Sequence, residues 1–151
     1  MNNKVLAIDP GRTSGIIIAP TPLQFYYMQV DTFYAMNIIE REAPCRIVME
    51  KFVLQRRPHV DIFPVELIGC IHRYVISNPT ELTEQMPANI VGIQPELIKR
   101  MGLWIPSQPH AMDALRHLIY YYLSLHAPLG SQLIIRDVIA GKQHAEIKRW
   151  E

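Results

Sequence analysis

The chain has 151 residues, 49% of them apolar and 19% charged, and a formal net charge of +1. That length accommodates one domain, residues 1–151, with a real core, and the composition excludes a disordered or low-complexity protein. The near-neutral balance is less basic than bulk-charge binding of nucleic acid calls for, although a site built of carboxylates would cancel some positive charge.

No apolar run approaches the roughly 20 residues that span a bilayer. The start, MNNKVLAIDP, lacks the layout of a signal peptide, so a cytoplasmic protein without membrane attachment is expected. Cys45 and Cys70 stand in apolar surroundings without CxxC spacing and are expected to be free, buried thiols. Positive charge collects locally, at Arg56, Arg57 and His59, at Lys99 and Arg100, and at Lys142, Lys148 and Arg149.

Lys4 to Asp9 reads as a buried strand, its apolar run ended by Pro10–Gly11. Ser14 to Ala19 is a second apolar run and Leu23 to Val30 a third, with aromatic residues that favour strand. Short connections make these three an antiparallel meander. Phe33 to Glu42 has helical spacing through Phe33, Met36 and Ile39, and Arg46 to Phe52 reads as a fourth strand. Leu54 to Phe63, polar and basic, is predicted as a loop. Pro64 suits a first helical turn, opening a helix to Ser77. Glu81 to Gln85 fits a short fifth strand, Pro95 to Met101 a short helix, and Pro109 to about Ala127 a long one. The segment after Gly130 is read as a strand followed by a helical tail. This order predicts an α/β protein, a mixed five-stranded sheet with helices on both faces, as in the RNase H-like fold.

Four residues stand where chemistry could be done. Asp9 ends the first strand, Glu50 comes late in the fourth, and His110 and Asp113 lie in the first turn of the last long helix. Each has a plainer role open to it: a turn former before Pro-Gly, a polar strand end, a cap, an acid favoured by the helix dipole. Together they say more. Strands one and four would be neighbours in a central sheet. His110 and Asp113, three apart, share a helix face that His117 continues one turn further. Three carboxylates and an imidazole brought together would repel without a cation. Oxygen donors suit magnesium or manganese rather than structural zinc. Two such ions, roughly 4 Å apart, activate water and stabilise the leaving oxygen of a phosphodiester, with Asp9 as the bridging ligand.

The motifs resemble those of the RuvC family of Holliday-junction resolvases. IDPGRTSG is similar to its first motif, VMEKF to its second, and HAMDALRHLIYYYL to its last, all in order between Lys4 and about Leu125. EKFVLQRRP, ELIGCIHRYV and KRMGLW resemble the compact phage-type members more narrowly. The resemblance implies a metal-dependent, structure-selective endodeoxyribonuclease that acts on branched DNA as a homodimer. It carries catalysis and metal binding to Asp9, Glu50, His110 and Asp113. Phe52 is the nearest match to an aromatic wedge residue. Arg56, Arg57, His59, Lys99 and Arg100 are candidate phosphate contacts, with solvated charge as the plain alternative. Relatives of the YqgF type, which act on RNA, are similar in the first strand, but the HxxDA helix start favours RuvC; a non-catalytic nucleic-acid-binding protein of this fold should lack one of the acids, and here none is missing. A dimer contact is expected on the Pro64–Ser77 helix, whose Ile68, Ile71, Val75, Ile76, Cys70 and Tyr74 spread over more than one sheet contact needs. Coverage of that surplus by another helix or by the tail is the alternative.

Overall fold

The computed structural model describes residues 2–51 and 62–151. Its strands are β1 (Val5–Asp9), β2 (Thr13–Thr21), β3 (Gln24–Asp31), β4 (Arg46–Glu50), β5 (Glu81–Gln85) and β6 (Glu146–Arg149). Its helices are α1 (Thr32–Glu42), α2 (Phe63–Ser77), α3 (Pro95–Arg100), α4 (Pro109–Leu123) and α5 (Leu129–Ile139), with a 3-10 turn at Pro87–Gly92. The strands form one mixed sheet in the order β5-β4-β1-β2-β3-β6. β1, β2 and β3 are the antiparallel meander. β4 runs parallel to β1, β5 parallel to β4, and β6 parallel to β3.

The central strands are apolar without a break because both their faces are covered. Alternate residues divide between two cores. Val5, Ala7, Ile17, Phe25 and Val48 pack under α3, α4 and α5. Leu6, Ile8, Ile16, Ile18, Ile47 and Met49 pack under α1 and α2. Helices on both faces are thus as expected.

Several boundaries differ from the expectation. The sheet has a sixth strand, because the segment after Gly130 is helix first and strand second, the reverse of the predicted order. The LIIRDVI run that reads as a strand lies within α5, which buries Gln132, Ile135 and Val138 and leaves Leu133 exposed. β6 then extends the sheet at β3. α4 ends at Leu123, where the Ser124 hydroxyl and amide both donate to the Tyr121 carbonyl, leaving Leu125 in solvent. On α1 the inward face is Ala35, Ile38 and Ile39, and Phe33 lies outside, 73% exposed. Both cysteines are free, but Cys70 is exposed and Cys45 half-buried, since the buried line of α2 is Leu67 and Ile71 alone. α5 packs with α4 on the opposite face of the sheet, and Trp150 at the end of the tail packs on the α1 side, against Tyr26 and Arg41. α1 borders one flank of α2, and Val65 and Ile76 stay exposed. No described helix is long and apolar enough to cross a membrane.

Candidate active site

One row of residues crosses the sheet at the carboxyl ends of β1 and β4. Ile8 pairs with Met49, so Asp9 and Glu50 come next to each other on adjacent parallel strands. Asp9 pairs with Gly15, Gly15 with Gln29, and Glu50 with Gln85. The row Gln85–Glu50–Asp9–Gly15–Gln29 therefore spans five strands on the face that carries α4.

The turn after Asp9 is fixed from both sides. The Gly11 amide donates to the Ser14 hydroxyl at 3.3 Å. Thr32, the first residue of α1, donates its hydroxyl to the Gly11 carbonyl. Ser14 is fully buried, which explains a small polar residue at that place in the TSG sequence.

Gly15 sets the height of α4. A Cβ there would stand 2.0 Å from the backbone carbon and oxygen of His110 and 2.3 Å from the Ala111 nitrogen. Only glycine lets the first turn of α4 rest on the sheet. Gln29 then completes the seat. Its Oε1 accepts from the amides of His110 at 2.9 Å and Ala111 at 3.3 Å. These are amides that a helix start leaves without internal partners. Gln108, the residue before the helix, gives no side-chain cap of its own.

Seated this way, α4 brings His110 and His117 onto the row and Asp113 close enough to act on the charge of Asp9. His110 Nδ1 lies 3.2 Å from Asp9 Oδ2. Asp113 accepts from Arg116 at 3.2 Å. Arg116 also donates to the carbonyls of Ile93 and Ile90, at 2.7 and 2.9 Å, which ties the 3-10 turn to the helix. His117, fully buried, lies between Glu50 and Gln85. Asp9 is an unusual acid. Burial pushes its pKa up from 3.8 to about 6; the His110 bond opposes this, while the charges of Asp113 and Glu50 add to it. Ionising it is costly because it is desolvated and two more carboxylates stand by.

The sequence-predicted residues Asp9, Glu50, His110 and Asp113 are thus brought to one place. As the side chains stand, no three His, Cys, Asp or Glu groups among the described residues form a ligating cluster. Each acid turns to a nitrogen base instead: Asp9 to His110, Glu50 to His117 and Asp113 to Arg116. The donor set and the raised pKa of Asp9 nonetheless fit a hard divalent cation, which relieves crowded carboxylates. Lys99 and Arg100 end α3, both exposed, and Lys99 sits over the Trp104 ring at 5.0 Å. Phe52, Arg56, Arg57 and His59 lie outside the described residues. Sequence reasoning missed Gln29, Gln85 and Arg116 altogether.

No protein-family model matches the chain, and no curated protein matches it. Solved structures do. The Thermus thermophilus RuvC in complex with Holliday junction substrate is 14% identical, with a TM-score of 0.62 over 82% of this chain and 97% of that one. A second structure of Thermus thermophilus RuvC is 15% identical, with a TM-score of 0.57 over 78% of this chain and 94% of the other. The chain has the RuvC fold. The RNase H-like architecture expected from the motifs is present nearly whole, and the remainder of the chain adds to it. Within the RuvC fold, the row at Asp9 is where β1, β4 and α4 converge.

Proposed function

We propose that the chain is a metal-dependent, structure-selective endodeoxyribonuclease that cuts branched DNA, four-way junctions above all, by paired hydrolysis of phosphodiesters. The observation that carries this reading is the convergence of Asp9, Glu50, His110 and Asp113 from β1, β4 and α4, with Asp9 raised to about 6 by burial and its acidic neighbours. Likeness to RuvC supports the substrate class, since one of the similar structures holds Holliday junction substrate. In this reading Asp9, Glu50, His110 and Asp113 hold two magnesium or manganese ions. When bound, the ions supply an activated water and charge stabilisation at the leaving oxygen.

The chain's own contribution is placement. Gly15 and Gln29 hold the start of α4 against the sheet, which keeps His110 and Asp113 over the strand ends. His110 Nδ1 lies within hydrogen-bond distance of Asp9 Oδ2, which steadies both side chains at the strand end. Lys99 and Arg100, with Arg56, Arg57 and His59, contact phosphates, and Phe52 wedges at the branch. A four-way junction is two-fold symmetric, and matched nicks on opposite strands need two sites, so the active form is a homodimer. The exposed apolar side of α2, with Val65 and Ile76, is the proposed contact.

Incubation with labelled four-way junction, duplex and RNA–DNA hybrid, with and without magnesium, tests this. Symmetric nicks in the junction that need the metal and vanish in Asp113→Asn are expected. Cutting of the hybrid alone would replace it with an RNA-directed reading. Light scattering with junction bound checks the dimer; a strict monomer would defeat paired nicking.

A further inference from the structure

His117 stands apart from the apolar helix face around it. Ala114 and Tyr121, one turn before and after it, and the adjacent Leu118 are buried core residues, and its own ring is 0% exposed. An aliphatic side chain would fill such a place without the cost of desolvating two ring nitrogens. That cost is offset because both nitrogens have partners. Nε2 is 3.1 Å from Glu50 Oε2, and Nδ1 is 2.7 Å from Gln85 Oε1. Glu50 and Gln85 are directly paired on β4 and β5, so one ring closes a bridge over one rung of the sheet.

The donor bookkeeping fixes what this bridge does. An ionised carboxylate only accepts, so the hydrogen between His117 and Glu50 belongs to Nε2. On its other side Nδ1 faces Gln85 Oε1; the amide N and O exchange without change of shape, so Gln85 pairs with Nδ1 whether that nitrogen donates or accepts. Held from both sides, the ring aims a hydrogen at one oxygen of Glu50.

We propose that His117 is a positioning residue: it holds the Glu50 carboxylate in a single orientation for a divalent cation, with Gln85 steadying the ring from its other nitrogen. This rests on the reading of Glu50 as a metal ligand. Outer-shell partners of this kind set ligand orientation, and their loss typically lowers metal affinity about 10- to 100-fold. His110 is not equivalent. It bonds to Asp9 from a ring 45% exposed, and among the described residues no glutamine meets its other nitrogen.

The test uses the whole chain without DNA and reads manganese binding by electron paramagnetic resonance, beside thermal unfolding. In His117→Leu the volume is filled but no hydrogen is donated; in His117→Gln an amide N–H is kept where Nε2 was. The leucine variant is expected to lose manganese affinity by about 10- to 100-fold at an unchanged Tm, and the glutamine variant to stay within about threefold. In 15N spectra of the metal-free protein the His117 hydrogen is expected on Nε2, slow to exchange with water. Leucine binding manganese as tightly as the parent would overturn the role. So would equal loss in both variants, or a ring with no hydrogen on Nε2. A parent chain that binds no manganese at all would instead remove the metal-site reading beneath it.

Discussion

The two faces of the sheet use the same strands differently. Toward α1 and α2 the strands present Leu6, Ile8, Ile16, Ile18, Ile47 and Met49, an apolar surface that can be closed by volume alone. Toward α4 the amino-terminal half is just as apolar, with Val5, Ala7, Ile17 and Val48, but the last rung turns polar at Glu50, Asp9, Gly15 and Gln29. Helix α4 is therefore held in two ways. Its later turns are glued by burial, through Leu115, Leu118 and Tyr122. Its first turn is located by backbone contact on Gly15 and by hydrogen bonds to Gln29. Burial is non-directional; the contacts at the first turn define a position. One face provides stability, and the other adds a fixed geometry at its edge.

Substitutions at adjacent residues can break this division or sharpen it. The largest effect is expected from Asp9→Asn, with cutting abolished and the fold retained. Its stability should also move with pH. Asp9 ionises near 3.8 when unfolded and about 6 when folded, so between those values the folded chain holds a proton that the unfolded chain has released. The group then costs stability increasingly as pH rises to about 6, and fully above it. In chelator, thermal unfolding should find the variant more stable than the parent at pH 8, by up to about 3 kcal/mol, and equal to it near pH 3. A gain that does not shrink toward acid would contradict the burial of this charge.

Gly15→Ala comes next. The new methyl group overlaps the His110 backbone and must lift the helix start. We expect activity to fall at least about 100-fold and stability by about 3 kcal/mol, read as a Tm lower by about 10 °C. Normal cutting by this variant would show that the seat is not needed. Gln29→Ala removes the acceptor for two amides, and should cost about 1 kcal/mol with a partial loss of activity. The smallest effect on cutting belongs to Ile16→Val. Ile16 follows Gly15 but faces the other way, so a loss of about 1 kcal/mol should leave junction cleavage unchanged. Equal damage to activity from Ile16→Val and Gln29→Ala would dissolve the distinction between the faces.

Much of this was legible before any coordinates. Asp9, Glu50 and the His110–Asp113 turn could be placed because a strand end before Pro-Gly and a helix start after proline are local signals. Their convergence followed from pairing strands one and four. The glutamines were not legible: nothing local marks Gln29 or Gln85 as anything but polar positions in strands, and their partners lie 81 and 32 residues away. Gly15 was visible as part of a motif, yet the reason for it is a contact with a distant helix. The segment after Gly130 was inverted because a short apolar run carries no period that separates strand from helix. Cys70 was misplaced for a related reason, since α2 is apolar around more of its circumference than it buries.

The bond between His110 and Asp9 joins residues 101 apart in the chain. Loop closure over such a span is slow compared with forming the local β1–β2–β3 meander. The meander can close early with Asp9 already at its strand end, but it then has no helix above it and no second acid beside it. Whatever this site does, it is switched on by completion of folding, and a half-made chain is inert. The converse holds in the finished protein: fraying of one helical turn, at Pro109 to Met112, would silence the site and open the α4-side core only at Ala111 and Met112, leaving the core under α1 and α2 closed.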